Sequence, residues 1–203
     1  MRIASALAVF AAASSALADE SPPSLELSLK AGGHFPQVVS RLGTSFDGVL
    51  KVGYAPLPNK QVQFFADLGY SQPAHLTESN DPRLQDSGAD FSSRLLVQDL
   101  RVALGANYFF ASPSENLLPY AGASLRTHFL RAVVVGEGGA QFGQSQETVT
   151  RFGGALFGGA GYRLGPGLLL GEVNLAFVPV LEKVTGRANV GALAVLLGYG
   201  LLL

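Results

Sequence analysis

Large apolar and polar residues alternate along this chain with a period of two. Leu25, Leu27, Leu29, Ala31 and Phe35 share one parity, and Glu26, Ser28, Lys30 and His34 share the other. Strands place successive side chains on opposite faces, so this period predicts a strand near 25–35 with one apolar and one polar face. Seven more segments repeat it. Phe46, Leu50, Val52 and Tyr54 oppose Asp47 and Lys51, and Val62, Phe64, Ala66, Leu68 and Tyr70 oppose Gln63 and Asp67. Leu100, Val102, Leu104, Ala106 and Tyr108 oppose Asp99, Arg101 and Asn107, and Ala121, Ala123, Leu125, Thr127 and Phe129 oppose Arg126 and His128. Phe152, Leu156, Ala160 and Tyr162 oppose Arg151 and Arg163, and Leu169, Val173, Leu175 and Phe177 oppose Glu172 and Asn174. The eighth segment, 191–203, sets Leu193, Val195, Leu197, Tyr199, Leu201 and Leu203 against Ala192, Ala194, Leu196, Gly198, Gly200 and Leu202, with no charge on either parity.

The connections alternate in length. Pro56-Leu57-Pro58-Asn59, Ser112-Pro113-Ser114-Glu115-Asn116 and Leu164-Gly165-Pro166-Gly167 are tight turns. Those after the first, third, fifth and seventh strands are longer or more polar, notably 71–90 and the Gly/Gln-rich 132–147. Val133-Val134-Val135 offers an extension of the fifth strand beyond the membrane. Eight strands joined by alternating short and long connections predict an all-β fold, an eight-stranded antiparallel up-and-down transmembrane β-barrel. Both chain ends are expected on the short-turn, periplasmic side. The final strand resembles the carboxy-terminal assembly signal of outer-membrane barrels, except that Leu203 stands where an aromatic is usual.

Arg2, an apolar run from Ile3 to Ala13 and Ala16-Leu17-Ala18 read as a secretory leader over 1–18, with 19–203 as one barrel domain. The run is too short to span a bilayer as a helix. Cysteine is absent, which removes disulfides, thiolate metal sites and thiol nucleophiles. Without the leader, 13 basic residues face 15 acidic ones, a net charge of −2, so no basic footprint points to nucleic acid. Charged residues are 14% of the chain, where typical soluble domains carry about 25%.

A soluble lipocalin-like carrier has the same alternation with its faces inverted. Three features favour lipid on the apolar face: the charge deficit, the uncharged last strand and the placement of aromatics. Phe35, Phe46, Tyr70, Phe129, Phe152 and Phe177 fall at loop ends; Tyr54, Phe64, Tyr108, Tyr162 and Tyr199 fall at turn ends. Two aromatic rings around an aliphatic band are the girdles of a membrane barrel. On these residues the chain resembles small eight-stranded outer-membrane barrels of the OmpA transmembrane-domain and OmpX type. The resemblance implies an outer-membrane location and assembly by the barrel-assembly machinery, with the lipid bilayer as principal partner.

The opposite parity then lines the lumen. It carries Glu26, Lys30, Asp47, Lys51, Asp67, Asp99, Arg101, Arg126, Arg151, Arg163 and Glu172, with Gln63, Asn107 and Asn174. Eight strands leave an interior that side chains fill. Such charges are expected to pair into a polar plug, since isolated buried charge is costly. Inward glycines, including Gly53, Gly69, Gly105, Gly122, Gly153, Gly161, Gly198 and Gly200, are expected to make room for the arginines. A gated ion path is the sharper alternative.

No cofactor is implied. His34, His75 and His128 fall toward the long-loop end without metal-ligand spacing. Ser124 and His128 share a parity, but four residues of strand separate them by about 13 Å, so they form no catalytic pair. The expected role is non-enzymatic: a structural or surface-interacting barrel. Alternatives are the outer-membrane anchor of an envelope-spanning machine, holding a periplasmic or surface partner, an outer-membrane lipid hydrolase, and a periplasmic carrier.

Overall fold

The computed structural model describes residues 25–36, 42–57, 59–79, 91–112, 114–137, 145–182, 186–189 and 191–203. The expected leader lies outside them. The strands are β1 (Leu25–Phe35), β2 (Ser45–Tyr54), β3 (Val62–Ser71), β4 (Ala74–Ser79), β5 (Phe91–Phe109), β6 (Leu117–Glu137), β7 (Ser145–Leu164), β8 (Gly167–Phe177), β9 (Pro179–Glu182), β10 (Gly186–Asn189) and β11 (Leu193–Leu202). Eight of them close the barrel: β1, β2, β3, β5, β6, β7, β8 and β11, each antiparallel to its neighbours. The last strand completes the ring by pairing with β8 on one side and β1 on the other. The backbone amides of Leu25 and Leu203 each donate to the other's carbonyl. Closure leaves no unpaired edge at membrane depth, which a bilayer demands of any sheet.

Three departures from the sequence reading share one cause. The segment 71–90 contains a strand, β4, which continues β3 past Pro73 and pairs with the outer part of β5. Proline offers no N–H to a ladder, yet its carbonyl accepts from the Val97 amide at 3.0 Å. The ladder of β5, β6 and β7 runs out to Ser92↔Glu137 and Val134↔Ser145; on β6 it takes in the extension that Val133-Val134-Val135 offered, and on β5 and β7 it passes the expected ends. The segments flanking the connection near 182–187 pair as strands β9 and β10. These outer segments need no lipid-facing alternation, so the period that marks the spanning strands does not mark them. At the other end the turns are tight. Leu164 pairs with Gly167 across a two-residue loop, and Gly165 takes φ 60 at its first position, the conformation a type II′ hairpin turn requires.

The facing is as the alternation predicts. Phe46, Leu50, Leu104, Leu125, Leu156, Val173, Leu175 and Leu197 are exposed on the outer surface, Leu125 at 78%. Aromatics bracket this band: Phe46, Tyr70, Phe129, Phe152 and Phe177 at the loop end, Tyr54, Phe64, Tyr108 and Tyr162 at the turn end. On β6 the stretch from Leu117 to Phe129 rises roughly 30 Å for a strand advancing about 3.4 Å per residue at a tilt of about 40°. That matches the hydrocarbon core of a bilayer.

Beyond the loop-end belt the polarity of both faces changes. Outward positions become Gln98, Arg131, Thr148 and Thr150, with Leu96 and Val133 half-buried a step farther out. Inward positions become apolar: Val97, Leu130 and Ala132 pack with Leu42 and Val178, and Leu95 and Val149 lie against them.

Candidate functional site

The charged residues on the inward parity differ in burial and in height along the barrel. Glu26, Lys30, Asp47, Lys51, Asp67, Asp99, Arg101, Arg126 and Glu172 are all buried. Arg151 and Arg163 share the inward parity but are half-buried near opposite rims. Arg151 pairs by register with His128 and donates to the Thr150 carbonyl at 3.0 Å; the Arg163 amide donates to the Asn116 carbonyl at the turn end.

Toward the loop end, Arg101 Nη2 donates to both oxygens of Asp47, at 2.6 and 2.8 Å. His34 Nδ1 lies 3.7 Å from Asp47 Oδ2. His128 Nδ1 lies 2.8 and 2.9 Å from the two Asp99 oxygens. Toward the turn end, Lys30 Nζ donates to Glu172 Oε2 at 2.6 Å, and Tyr120 donates its hydroxyl to the same oxygen at 3.0 Å. Glu26 Oε2 accepts from Gln63 Nε2 at 2.9 Å, and its Oε1 lies 4.0 Å from Lys51 Nζ. Lys51 also donates to Asn107 Oδ1 at 3.4 Å and sits 4.8 Å over the Phe65 ring. Arg126 donates Nε to Ser124 Oγ at 3.1 Å.

Several of these contacts reach past a neighbouring strand. Arg101 and Asp47 stand on β5 and β2 with β3 between; Gln63 and Glu26 on β3 and β1 with β2 between; Lys30 and Glu172 on β1 and β8 with β11 between. In each case an inward glycine on the middle strand lies under the bridge. A methyl group on Gly69 would collide with the Arg101 guanidinium, one on Gly53 would sit 2.5 Å from Gln63 Cδ, and one on Gly198 would sit 2.7 Å from Lys30 Cγ.

Two other inward glycines, Gly105 and Gly122, correct the expectation that such positions accommodate arginines. A methyl on Gly105 would stand 2.6 Å from Phe65 Cζ, and one on Gly122 would stand 2.5 Å from Phe157 Cζ. They make room for aromatic rings. Phe65, Tyr120 and Phe157 form a buried cluster with Leu118, Leu168 and Leu170, with Phe109 against it. Phe65 and Phe157 meet edge to face, centroids 5.5 Å apart. The lumen is therefore not polar throughout. An aromatic cluster packs toward the turn end beside Glu26, Gln63 and Asn107, and the Leu42, Val97, Leu130, Ala132, Val178 cluster packs toward the loop end. The sequence carried this signal: Phe65 and Tyr120 share the parity of Asp67 and Arg126.

Between the mouths lie polar atoms with no protein partner, among them Asp67 Oδ1, Ser28 Oγ, His128 Nε2 and Asn174 Oδ1. Internal water ordinarily bridges such groups. The Ser124–His128 pairing weighed from sequence does not form, because Arg126 occupies Ser124 and Asp99 occupies His128. Among the described residues no group of three His, Asp or Glu side chains is arranged to hold a metal ion. The side chain of His75 lies outside the described set.

A closed ring of eight antiparallel strands, apolar outside and charged within, decides the architecture. This chain has the fold of a small outer-membrane β-barrel. Comparison with solved structures agrees. The barrel resembles Neisserial surface protein A with a TM-score of 0.54 and 18% identity, over 88% of this chain and 96% of that one. It resembles a major outer membrane protein from Thermus thermophilus with a TM-score of 0.52 and 13% identity, over 87% and 98%. No family model matches the barrel's sequence. A stretch of 79 residues is 34% identical to formate–tetrahydrofolate ligase from Cutibacterium acnes, but the match covers 36% of this chain and spans only 14% of the ligase's length. That fraction gives no ground for assigning the ligase's activity to the barrel.

Proposed function

We propose that this protein is an integral outer-membrane barrel without enzymatic activity. Its lumen network is structural, and its duty at the cell surface rests on the outer extensions of β5, β6 and β7. The reading is carried by the outer wall: a continuous apolar band between two aromatic belts, on a barrel whose ion pairs among the described residues are turned inward. Water would be a poor solvent for such a wall, and lipid a good one. The tight turns would face the periplasm and the long connections the exterior, as in bacterial barrels of this kind. Insertion would depend on the barrel-assembly machinery.

The lumen supports a structural role over a conducting one. Its buried carboxylates Asp47, Asp99 and Glu172 are each bonded to a basic side chain, and an apolar cluster packs toward each end of the lumen.

The test is surface access in intact cells. An epitope inserted between residues 138 and 144 is expected to bind antibody on whole cells. One inserted at Asn59 is expected to bind only after permeabilisation. The reverse pattern would overturn the orientation, and access to neither site in membrane-bound protein would overturn the surface role.

A further inference from the structure

The lipid-facing wall carries almost no charge, which makes its exception informative. Among the described side chains on outward strand positions, Arg131 of β6 is the one charged residue. It lies two positions beyond Phe129 of the outer aromatic belt, about 5 Å higher for a strand tilted about 40°. That height is the boundary between hydrocarbon and headgroups.

Its surroundings are polar and uncharged. By register, Arg131 is flanked by Gln98 of β5 and Thr148 of β7. Arg131 Nη2 donates to Gln146 Oε1 at 3.0 Å, which holds the guanidinium against the wall. Among the described residues no carboxylate lies within ion-pair distance of it, whereas the lumen bonds Arg101 to Asp47 and His128 to Asp99. Toward the described residues the guanidinium thus spends one N–H on Gln146 and keeps its charge unpaired. Gln98 and Thr148 lie one strand away on either side, close enough to share a group bound to it.

We infer that Arg131, with Gln98 and Thr148, binds the phosphate of an anionic lipid in the outer leaflet. A phosphate accepts paired N–H bonds from the planar guanidinium fork. The apolar wall below would hold the acyl chains and the belt at Phe129 would set the depth. The inference rests on the wall facing lipid, as proposed above.

The test uses the full chain refolded into phosphatidylcholine vesicles doped with spin-labelled phosphatidylglycerol or spin-labelled phosphatidylcholine. Electron spin resonance then gives the relative association of each lipid with the barrel. The wild type is expected to prefer phosphatidylglycerol about fivefold, and Arg131→Gln is expected to abolish the preference while keeping the heat-dependent gel mobility of a folded barrel. Arg131→Ala is a second variant, read the same way. Inorganic phosphate, compared with chloride at equal ionic strength, is expected to leave the wild-type preference unchanged. An undiminished preference in a folded variant, or no preference in the wild type, overturns the site while leaving the barrel reading intact. Specific displacement by inorganic phosphate would make free phosphate the ligand and overturn the lipid assignment. Failure of the wild type to insert would overturn both.

Discussion

Arg101 grips Asp47 with two short hydrogen bonds across a strand that neither belongs to. The bridge passes over Gly69 of β3, which has no side chain to obstruct it. Gly69→Ala is therefore expected to destabilise the barrel even though the atoms nearest the new methyl are side-chain atoms of Arg101. Asp47→Ala is expected to cost more, about 3–5 kcal/mol, because it leaves a buried guanidinium without its counter-charge. Adding Arg101→Met to Asp47→Ala is expected to restore part of the loss. Urea unfolding of the four proteins in bilayers checks this; equal midpoints for wild type and Asp47→Ala would contradict it.

Glu172 receives two donors at one oxygen, Lys30 Nζ and the Tyr120 hydroxyl. The two losses should differ in size. Tyr120→Phe removes a hydrogen bond but keeps the ring in its aromatic cluster, so about 1 kcal/mol is expected. Lys30→Met strands a buried carboxylate and is expected to cost about 3 kcal/mol or more. The same unfolding measurement ranks them, and a larger effect from Tyr120→Phe would refute the pairing.

Leu156 lies on the outward face of β7 between Phe152 and Tyr162, and is 68% exposed. Leu156→Arg is expected to destabilise the protein in a bilayer by about 2–4 kcal/mol, as a cation near the midplane does. The same change at Thr150, beyond the belt, is expected to cost about 1 kcal/mol or less. Equal costs at the two positions would mean that the apolar band does not meet lipid.

The aromatic cluster at the turn-end mouth gives a prediction that a purely polar plug would not. Phe157 packs edge to face against Phe65 and lies 6.4 Å from Tyr120. Phe157→Ala opens space in the centre of that cluster and is expected to cost about 3–5 kcal/mol. Thermal unfolding should show a clearly lowered midpoint; an unchanged one would mean the ring is not part of a packed core.

The parts of this architecture that were legible in the sequence are those set by a single period. Lipid on one side and packed charge on the other impose alternation, so Leu27 and Lys30, or Leu125 and Arg126, could be assigned to opposite faces from sequence alone. Where that constraint ends, legibility ends. The loop-end parts of β5 and β7 meet a different environment, while that of β6 was signalled only by the β-branched run Val133-Val134-Val135, and β4 is separated from β3 by Pro73. The choice of ion-pair partners was not legible either. Asp47 bonds Arg101 rather than its register neighbour because barrel tilt and the glycine at 69 set which side chains meet across a skipped strand. The aromatic cluster went unread for another reason. Phe65 and Phe109 stand beside Phe64 and Phe110, and adjacent aromatics blur which parity faces the lumen.

The central claim is a closed barrel with its apolar wall in lipid. It is tested most directly by fractionating cells that express the protein, then comparing unboiled and boiled samples of the membrane pool on a denaturing gel. A band in the outer-membrane fraction that changes mobility on boiling is the predicted result. A soluble periplasmic protein with no shift would contradict it, and would make the apolar parity the interior of a carrier.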